Sequence, residues 1–410
     1  MANVLYLVHR LPYPPDKGDK VRSYHLLEHL RRRHRVFLGT FVDDPDDVAH
    51  LPAVRARCAE VCALPLNPPA ARIRSLSGLA QGQPLTLRYY DDRRLRTWVQ
   101  RTIATQDIAA IVVFSSSMAQ YAEGHDGIPV LVDLVDVDSA KWTDYAAAHA
   151  WPVSWLYRRE GERLLACERA VVAAADHAFL VSQREVDLFD RLAPDCAGKV
   201  QALCNGVDAE QFAPQAERAT PFGGDEWPLV FTGAMDYWPN IDAVAWFAGD
   251  VMPLLRRRWP KLRLHIVGRN PTAAVRALAG DAVAVSGTVP DVRAYLQHAV
   301  AVVAPLRLAR GVQNKVLEAM AMARPVVCAR GCIDAIGAEP GVQLLAADGA
   351  DEYVAALGRL LDEPDHARAI GLAARRFMLD RFSWPAQLNG LDEVLDAAIA
   401  SHPVNETTCA

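Results

Sequence analysis

Residues 301–327 read AVVAPLRLARGVQNKVLEAMAMARPVV, and the change of pattern inside this stretch decides the fold. The apolar run at 300–304 has the length of a strand and no polar alternation, as expected where both faces are covered. A basic loop with Arg307, Arg310 and Gly311 follows, and a run of good helix formers from Val312 stops before Pro325. With a second apolar run at 325–329, the stretch is one turn of a parallel βαβ wrap. A helix start beside strand ends offers unpaired N–H groups and a positive dipole end, and Gly311 lets that backbone approach an anion. Arg307 and Lys315 add cations, the arginine through a bidentate fork. Glu318, two turns into the helix, repels phosphate but can accept hydrogen bonds from a ribose diol. A nucleoside diphosphate suits this division; a charged helix start that caps itself is the competing reading.

The same alternation runs outward in both directions. Strands are expected at 4–8, 36–40, 108–114, 130–133, 177–181 and 200–203, with helices such as 21–32, 95–105 and 155–174 between them. A second series has strands at 229–232, 262–267, 283–286, 300–304, 325–329 and 342–345, and beyond about 350 only helices are expected, at 351–361, 365–382 and 384–400. Residues 205–227, rich in Gly, Pro and polar residues, separate the series. The expected organisation is an N-terminal Rossmann-like domain at 1–204, a linker at 205–227, a C-terminal Rossmann-like domain at 228–383, a helix at 384–400 that crosses back, and a frayed tail at 401–410. Open parallel sheets bind ligands outside the carboxyl ends of their strands, so the active site is expected in a cleft where two such sheets face each other.

Composition agrees with two globular cores. The chain has 410 residues, 51% of them hydrophobic and 23% charged, with a net charge of −5. That balance offers no global attraction to nucleic acid or to an anionic membrane. MANVLYLVHR reads as a first strand rather than a leader, and no segment approaches the roughly 20 apolar residues of a spanning helix. A cytoplasmic protein is expected, with the inner face of the plasma membrane as a peripheral location. Eight scattered cysteines read as buried thiols; Cys58/Cys62 and Cys328/Cys332 lack the partners of a zinc site.

Other segments carry weaker signals. The loop 12–20 follows the first strand, holds Gly18 between two lysines and is not GxGxxG. DLVDVD at 133–138 has three alternating carboxylates, which reads either as a functional cluster or as a helix cap at Asp138 and Ser139. RRRHR at 31–35 ends a helix, where cations suit the dipole; with Arg55, Arg57, Arg72, Arg74 and the arginines at 88–101 it can also form a basic face for anionic lipid. Tyr237 and Trp238 are the aromatic residues to consider as a sugar platform rather than as core.

GVQNKVLEAMAMARPVV, together with VSQREVDLF (181–189), NGVD (205–208), FTGAMDYWPNIDAVAWF (231–247), LHIVGR (264–269) and SGTVPDV (286–292), resembles the family-4 retaining glycosyltransferases of GT-B fold over nearly the whole chain. YLVHRLPYPPDKGDKVRSYHLL (6–27) and DLVDVDSAKW (133–142) further resemble the branch associated with exosortase (PEP-CTERM) and exopolysaccharide gene clusters. The resemblance implies a metal-independent hexosyltransferase that uses a nucleoside-diphosphate sugar, UDP ahead of GDP, and a lipid-linked or polysaccharide acceptor, with no cofactor. It places Gly18, Gly233, Arg310, Gly311 and Val312 at the donor, the main chain of Val289 at the base with Arg269 packing nearby, and Glu318 at the ribose. Asp136 stands where relatives have a histidine near the reacting sugar. Two departures follow. The family's first glutamate is Arg310 here, and its Arg and Lys after the first strand of the second domain are replaced by Met235 and Asn240. The diphosphate clamp is therefore assigned to Arg307 and Lys315, and Asn240 to a helix start. A sugar-nucleotide epimerase or phosphorylase of the same fold, and a binding protein without catalysis, are the rival readings.

Overall fold

A computed structural model of the chain describes residues 1–15, 18–125, 127–147, 149–307 and 312–402. It divides into two compact units, Met1–Asn205 with Gln387–Ala410, and Gly206–Ala386.

The first unit holds a seven-stranded sheet: β1 (Asn3–Val8), β2 (Arg35–Val42), β3 (Glu60–Pro65), β4 (Ile108–Phe114), β5 (Val130–Val135), β6 (His177–Leu180) and β7 (Val200–Ala202). The order across it is β3-β2-β1-β4-β5-β6-β7, and every pairing is parallel. The second unit has β8 (Trp227–Thr232), β9 (Leu262–Val267), β10 (Val283–Gly287), β11 (Ala301–Ala304), β12 (Val326–Cys328) and β13 (Leu345–Ala346). Its order is β10-β9-β8-β11-β12-β13, again all parallel. Strands wrapped by helices on both faces carry unbroken apolar runs; Val4 to Val8 and Leu229 to Phe231 are fully buried. The two-sheet α/β expectation is met.

Strand order reverses between β1 and β4 and between β8 and β11. The crevices outside the carboxyl ends at these two points are where a doubly wound sheet takes ligands. One strand, β3, lies where the sequence suggests none. It is a half-buried edge strand, so its run EVCALP lacks the apolar continuity of its neighbours. At the other end β13 begins at Leu345 rather than at 342, because Val342 and Gln343 turn back onto the carbonyl of Glu339.

The Pro/Gly-rich segment after Asn205 crosses to β8 with no strand or helix of its own beyond one bridge, Val207 to Ser383. Its glycine is dictated by packing. A Cβ on Gly206 would stand 2.5 Å from the backbone N and Cα of Trp384. The helix Trp384–Ser401 follows, and its outer part belongs to the first unit: Asp392 meets His29 at 2.9 Å and Arg33 at 3.2 Å.

Candidate active site

In the second unit an open pocket of about 590 Å³ lies at the carboxyl ends of β8, β9 and β10, against the start of the helix Asn314–Ala321. Gly233 and Gly268, at the ends of β8 and β9, make its floor. A Cβ on Gly268 would fall 1.6 Å from the carbonyl oxygen of Gly233, so the two strand ends abut as only glycines permit. Thr288 and Val289 follow β10, and Arg269 follows β9 with its side chain at the rim. The helix start contributes Val312, Gln313, Asn314 and Lys315, and Glu318 stands one turn deeper.

Lys315 is half-buried, with its ammonium 3.2 Å from where a Cβ of Gly233 would stand and 4.4 Å from the centre of the Phe231 ring. Its ammonium donates to the side-chain oxygen of Asn240, whose amide nitrogen is anchored on the carbonyl of Ala234 at 2.9 Å. Desolvation by burial brings the Lys315 pKa down to about 8, against the opposing pull of Cys332 and Glu318. The same burial pushes the Glu318 carboxyl up, and Lys315 draws it back. The pocket therefore offers one held ammonium beside glycine backbone and helix N–H groups, with a carboxylate a turn further in. Phosphate fits the first group and a diol the second.

Six of the residues assigned by sequence to the donor share this pocket: Gly233, Arg269, Val289, Val312, Lys315 and Glu318. Arg310 and Gly311 lie outside the described residues. Arg307 does not line the pocket. Its guanidinium donates to both carboxylate oxygens of Asp242, one of them at 3.0 Å, and lies 5.8 Å from the centre of the Trp246 ring. Of the two aromatic candidates, Tyr237 lines the pocket and Trp238 does not, though both are more than half exposed. Asn240 does more than start a helix: nothing in the FTGAMDYWPN spacing shows that it will hold a lysine 75 residues away.

The carboxyl ends of the first sheet carry a separate group of polar residues. Gly18 opens the helix Gly18–Arg33 after the loop that follows β1. Asp19 receives Arg10 at 2.8 Å and has His9 at 3.5 Å; the His9 hydrogen bond and the Arg10 charge hold its carboxyl well below the usual range, against desolvation. His9 itself stacks on Phe114, with ring centres 5.8 Å apart. The residue pair His9 and Arg10 carried no separate signal in the sequence beyond ending a strand. In DLVDVD each carboxylate has a cation: Asp133 is buried against Arg22 at 2.7 Å, and Lys141 bridges Asp136 at 2.7 Å and Asp138 at 3.0 Å. Asp136 is one-third exposed and follows Val135, whose φ of 70° turns the chain out of β5.

Of the thirteen arginines expected to form one basic face, seven are paired with carboxylates. Arg31 and Arg57 meet Glu28, Arg33 meets Asp392 and Asp396, Arg88 and Arg96 meet Asp91, Arg94 meets Asp92, and Arg101 meets Glu60.

Residues 228–363 match the family described as Glycosyl transferases group 1. A GDP-mannose-dependent alpha-(1-6)-phosphatidylinositol monomannoside mannosyltransferase of Mycolicibacterium smegmatis is 28% identical over 277 residues, 61% of this chain and 69% of that protein. Among solved structures, sucrose-phosphate synthase from Thermosynechococcus elongatus superposes with a TM-score of 0.59 at 19% identity, covering 98% of this chain and all of that one. Anabaena HepE in complex with UDP gives 0.61 at 15% identity, covering 97% and 100%. The class is thereby defined: a glycosyltransferase of GT-B fold. Its second unit carries the group 1 glycosyltransferase domain, and the pocket described above lies within it.

Proposed function

We propose that the protein transfers a hexosyl group, with retention of configuration, from a nucleoside-diphosphate sugar to a lipid-linked or polysaccharide acceptor, as a family-4 enzyme of the exosortase-associated exopolysaccharide branch. The observation that carries the reading is Lys315, held by Asn240 beside the Gly233 backbone at a helix start, with Glu318 deeper in the same pocket. The diphosphate lies along Gly233, the helix start and Lys315, the ribose diol on Glu318, and the base against the main chain of Val289. Arg269, exposed at the rim, faces the same pocket and adds the second cation. Arg307 contributes through the Asp242 pair rather than as a direct clamp.

In the transfer the bond from the anomeric carbon to the leaving phosphate oxygen breaks. The acceptor oxygen bonds to the same face of that carbon, and the acceptor proton passes to the leaving diphosphate. Charge develops on the diphosphate, so fixed N–H dipoles and the Lys315 ammonium lower the barrier without a metal or cofactor. Asp136, steadied by Lys141, orients the sugar or the acceptor hydroxyl, and Gly18 lets its helix start approach them. UDP is placed ahead of GDP because HepE, similar in fold over 97% of this chain, is a UDP complex. GDP-mannose, named for the mycobacterial relative, is the alternative. The location is the cytoplasm, peripheral to the inner membrane face; among the described residues no helix is long and apolar enough to cross a membrane.

Thermal stabilisation by a panel of UDP- and GDP-sugars, followed by transfer assays on Lys315→Ala, tests the reading. A bound donor raises the melting temperature by mass action. Stabilisation by one base series, with transfer lost about a hundredfold in the variant, is the expected result. Full activity in Lys315→Ala removes the clamp assignment. Binding without transfer to any acceptor favours a non-catalytic binding protein, which the arginine at 310 suits. Conversion of free nucleotide sugar without acceptor favours an epimerase.

A further inference from the structure

Two adjoining segments of the first unit leave large apolar side chains exposed to water. In the helices Pro68–Ser75 and Ser77–Gln81 the buried positions are Ala71, Ser75 and Gly78, while Ile73 is 72% and Leu76 50% exposed. The helix Val153–Ala174 buries Leu164 and Val172 along with Glu160, Gly161 and Glu168, but at its start Trp155 is 54% exposed and Trp151, just before it, 81%. A helix in water faces its large apolar side chains inward. Scattered exposed apolar residues need no explanation, but these are not scattered. Of the sixteen large apolar side chains exposed among the described residues, seven fall within 68–89 and 141–163.

Hydrogen bonds join the two segments. Arg159 donates to the carbonyl of Gly78 at 2.9 Å and to that of Gln83 at 3.2 Å. Glu160 accepts from the backbone N–H groups of Leu85 and Thr86 at 2.7 and 2.8 Å. Trp142 and Tyr145 of the helix Asp138–Ala147 cluster with Tyr157 of the helix Val153–Ala174, the first two edge-on and the others tilted. The patch is thus a braced surface rich in Trp and Tyr, the residues that favour a membrane–water boundary.

Charge selects the partner. Residues 68–89 and 141–163 hold seven Lys and Arg against three Asp and Glu; with Lys141 and Arg88 paired to Asp136, Asp138 and Asp91 just outside them, the exposed Arg72, Arg74, Arg158 and Arg163 stand against the exposed Asp144 and Glu162. Among the described residues no carboxylate pairs with Arg72, Arg158 or Arg163, all exposed, in contrast to Arg88, Arg94, Arg96 and Arg101. Position also fits. The helix Asp138–Ala147 leaves β5 at its carboxyl end, close to Asp136.

We propose that this patch docks the protein on a bilayer bearing anionic lipid, with Trp151, Trp155 and Ile73 entering the boundary and the unpaired arginines facing the headgroups. The inference rests on the lipid-linked acceptor of the reading above, yet is tested apart from it. The full chain is sedimented with vesicles of phosphatidylglycerol and phosphatidylcholine, and with phosphatidylcholine alone. Expected are binding to the anionic vesicles that weakens with salt, quenching of tryptophan fluorescence by brominated lipid, and at least tenfold weaker binding of Trp151→Ser/Trp155→Ser. Nucleotide stabilisation by UDP or GDP stays as in the parent, so loss of nucleotide binding would count against the donor reading and not against docking. A parent chain that neither binds vesicles nor is quenched overturns the proposal, whatever the fold of the variant. So does a variant that binds like the parent. A native mass that falls from dimer to monomer in the variant assigns the patch to a second copy instead.

Discussion

Burial of Lys315 places its proton within reach of ordinary buffers. A diphosphate binds the ammonium and not the amine. With the free-state pKa near 8, affinity is expected to hold from pH 7 to about 8 and then to fall by about tenfold per pH unit. Calorimetric titration of the stabilising nucleotide across pH 7 to 9.5 checks this, and Lys315→Met should bind more weakly with no such decline. Glu168 titrates in the opposite sense to most carboxylates. Desolvation raises it to about 7, although Ser139 donates its N–H and hydroxyl to it. The folded chain therefore keeps a proton that the unfolded chain releases near pH 4.5. Stability falls as pH climbs from there to about 7, and the full loss, up to the order of 3 kcal/mol, persists above. Glu168→Gln should melt higher than the parent at pH 8 and nearly with it at pH 5. At this scale the sequence shows the residue types and hides the pairs. Lys315 and Glu318 were legible because a helix start and its next turn are local. Asn240 with Lys315 and Asp242 with Arg307 are contacts across 75 and 65 residues, which no spacing rule reaches.

Elements whose apolar runs are continuous were legible: β1, β4, β8 and β9 begin and end within a residue or two of their expected positions. Those decided by neighbours were not. β3 exists because β2 offers it a free edge, and its own half-buried residues give no period. The short helix Leu85–Tyr89 is a sharper case, since no side chain of its own caps it. Its cap comes from Glu160, a residue 1% exposed, which takes both first N–H groups and the hydroxyl of Thr86 at 2.8 Å. Removing that carboxylate leaves buried donors unpaired, at a cost of about 2–3 kcal/mol. Glu160→Ala should lower the midpoint of chemical unfolding accordingly and speed amide exchange across 77–89, while exchange in the strands of the second unit stays unchanged. An unchanged exchange pattern at 77–89 would remove Glu160 as the cap.

For the whole molecule the consequence lies in how the chain is shared out. The first unit is made of 1–205 and 387–410, so its core is closed by a segment that follows the second unit in sequence. Leu388, Leu391 and Leu395 are almost fully buried, and Leu391 shares a small internal space with Leu26, Val112 and Phe179. Burying three leucines contributes about 6 kcal/mol, as much as the net stability of many domains. The second unit, 206–386, is continuous and carries the whole of the pocket proposed for the nucleotide. A chain ending at Ala386 is therefore expected to lose the unfolding transition of the first unit and to keep that of the second. Because ligand binding stabilises only what it binds, the nucleotide that stabilises the full chain should still shift the surviving transition. Scanning calorimetry of both chains, with and without that nucleotide, decides it. Two transitions in the shortened chain would mean that the first unit closes its core without the last helix, and a surviving transition deaf to nucleotide would place the donor site elsewhere.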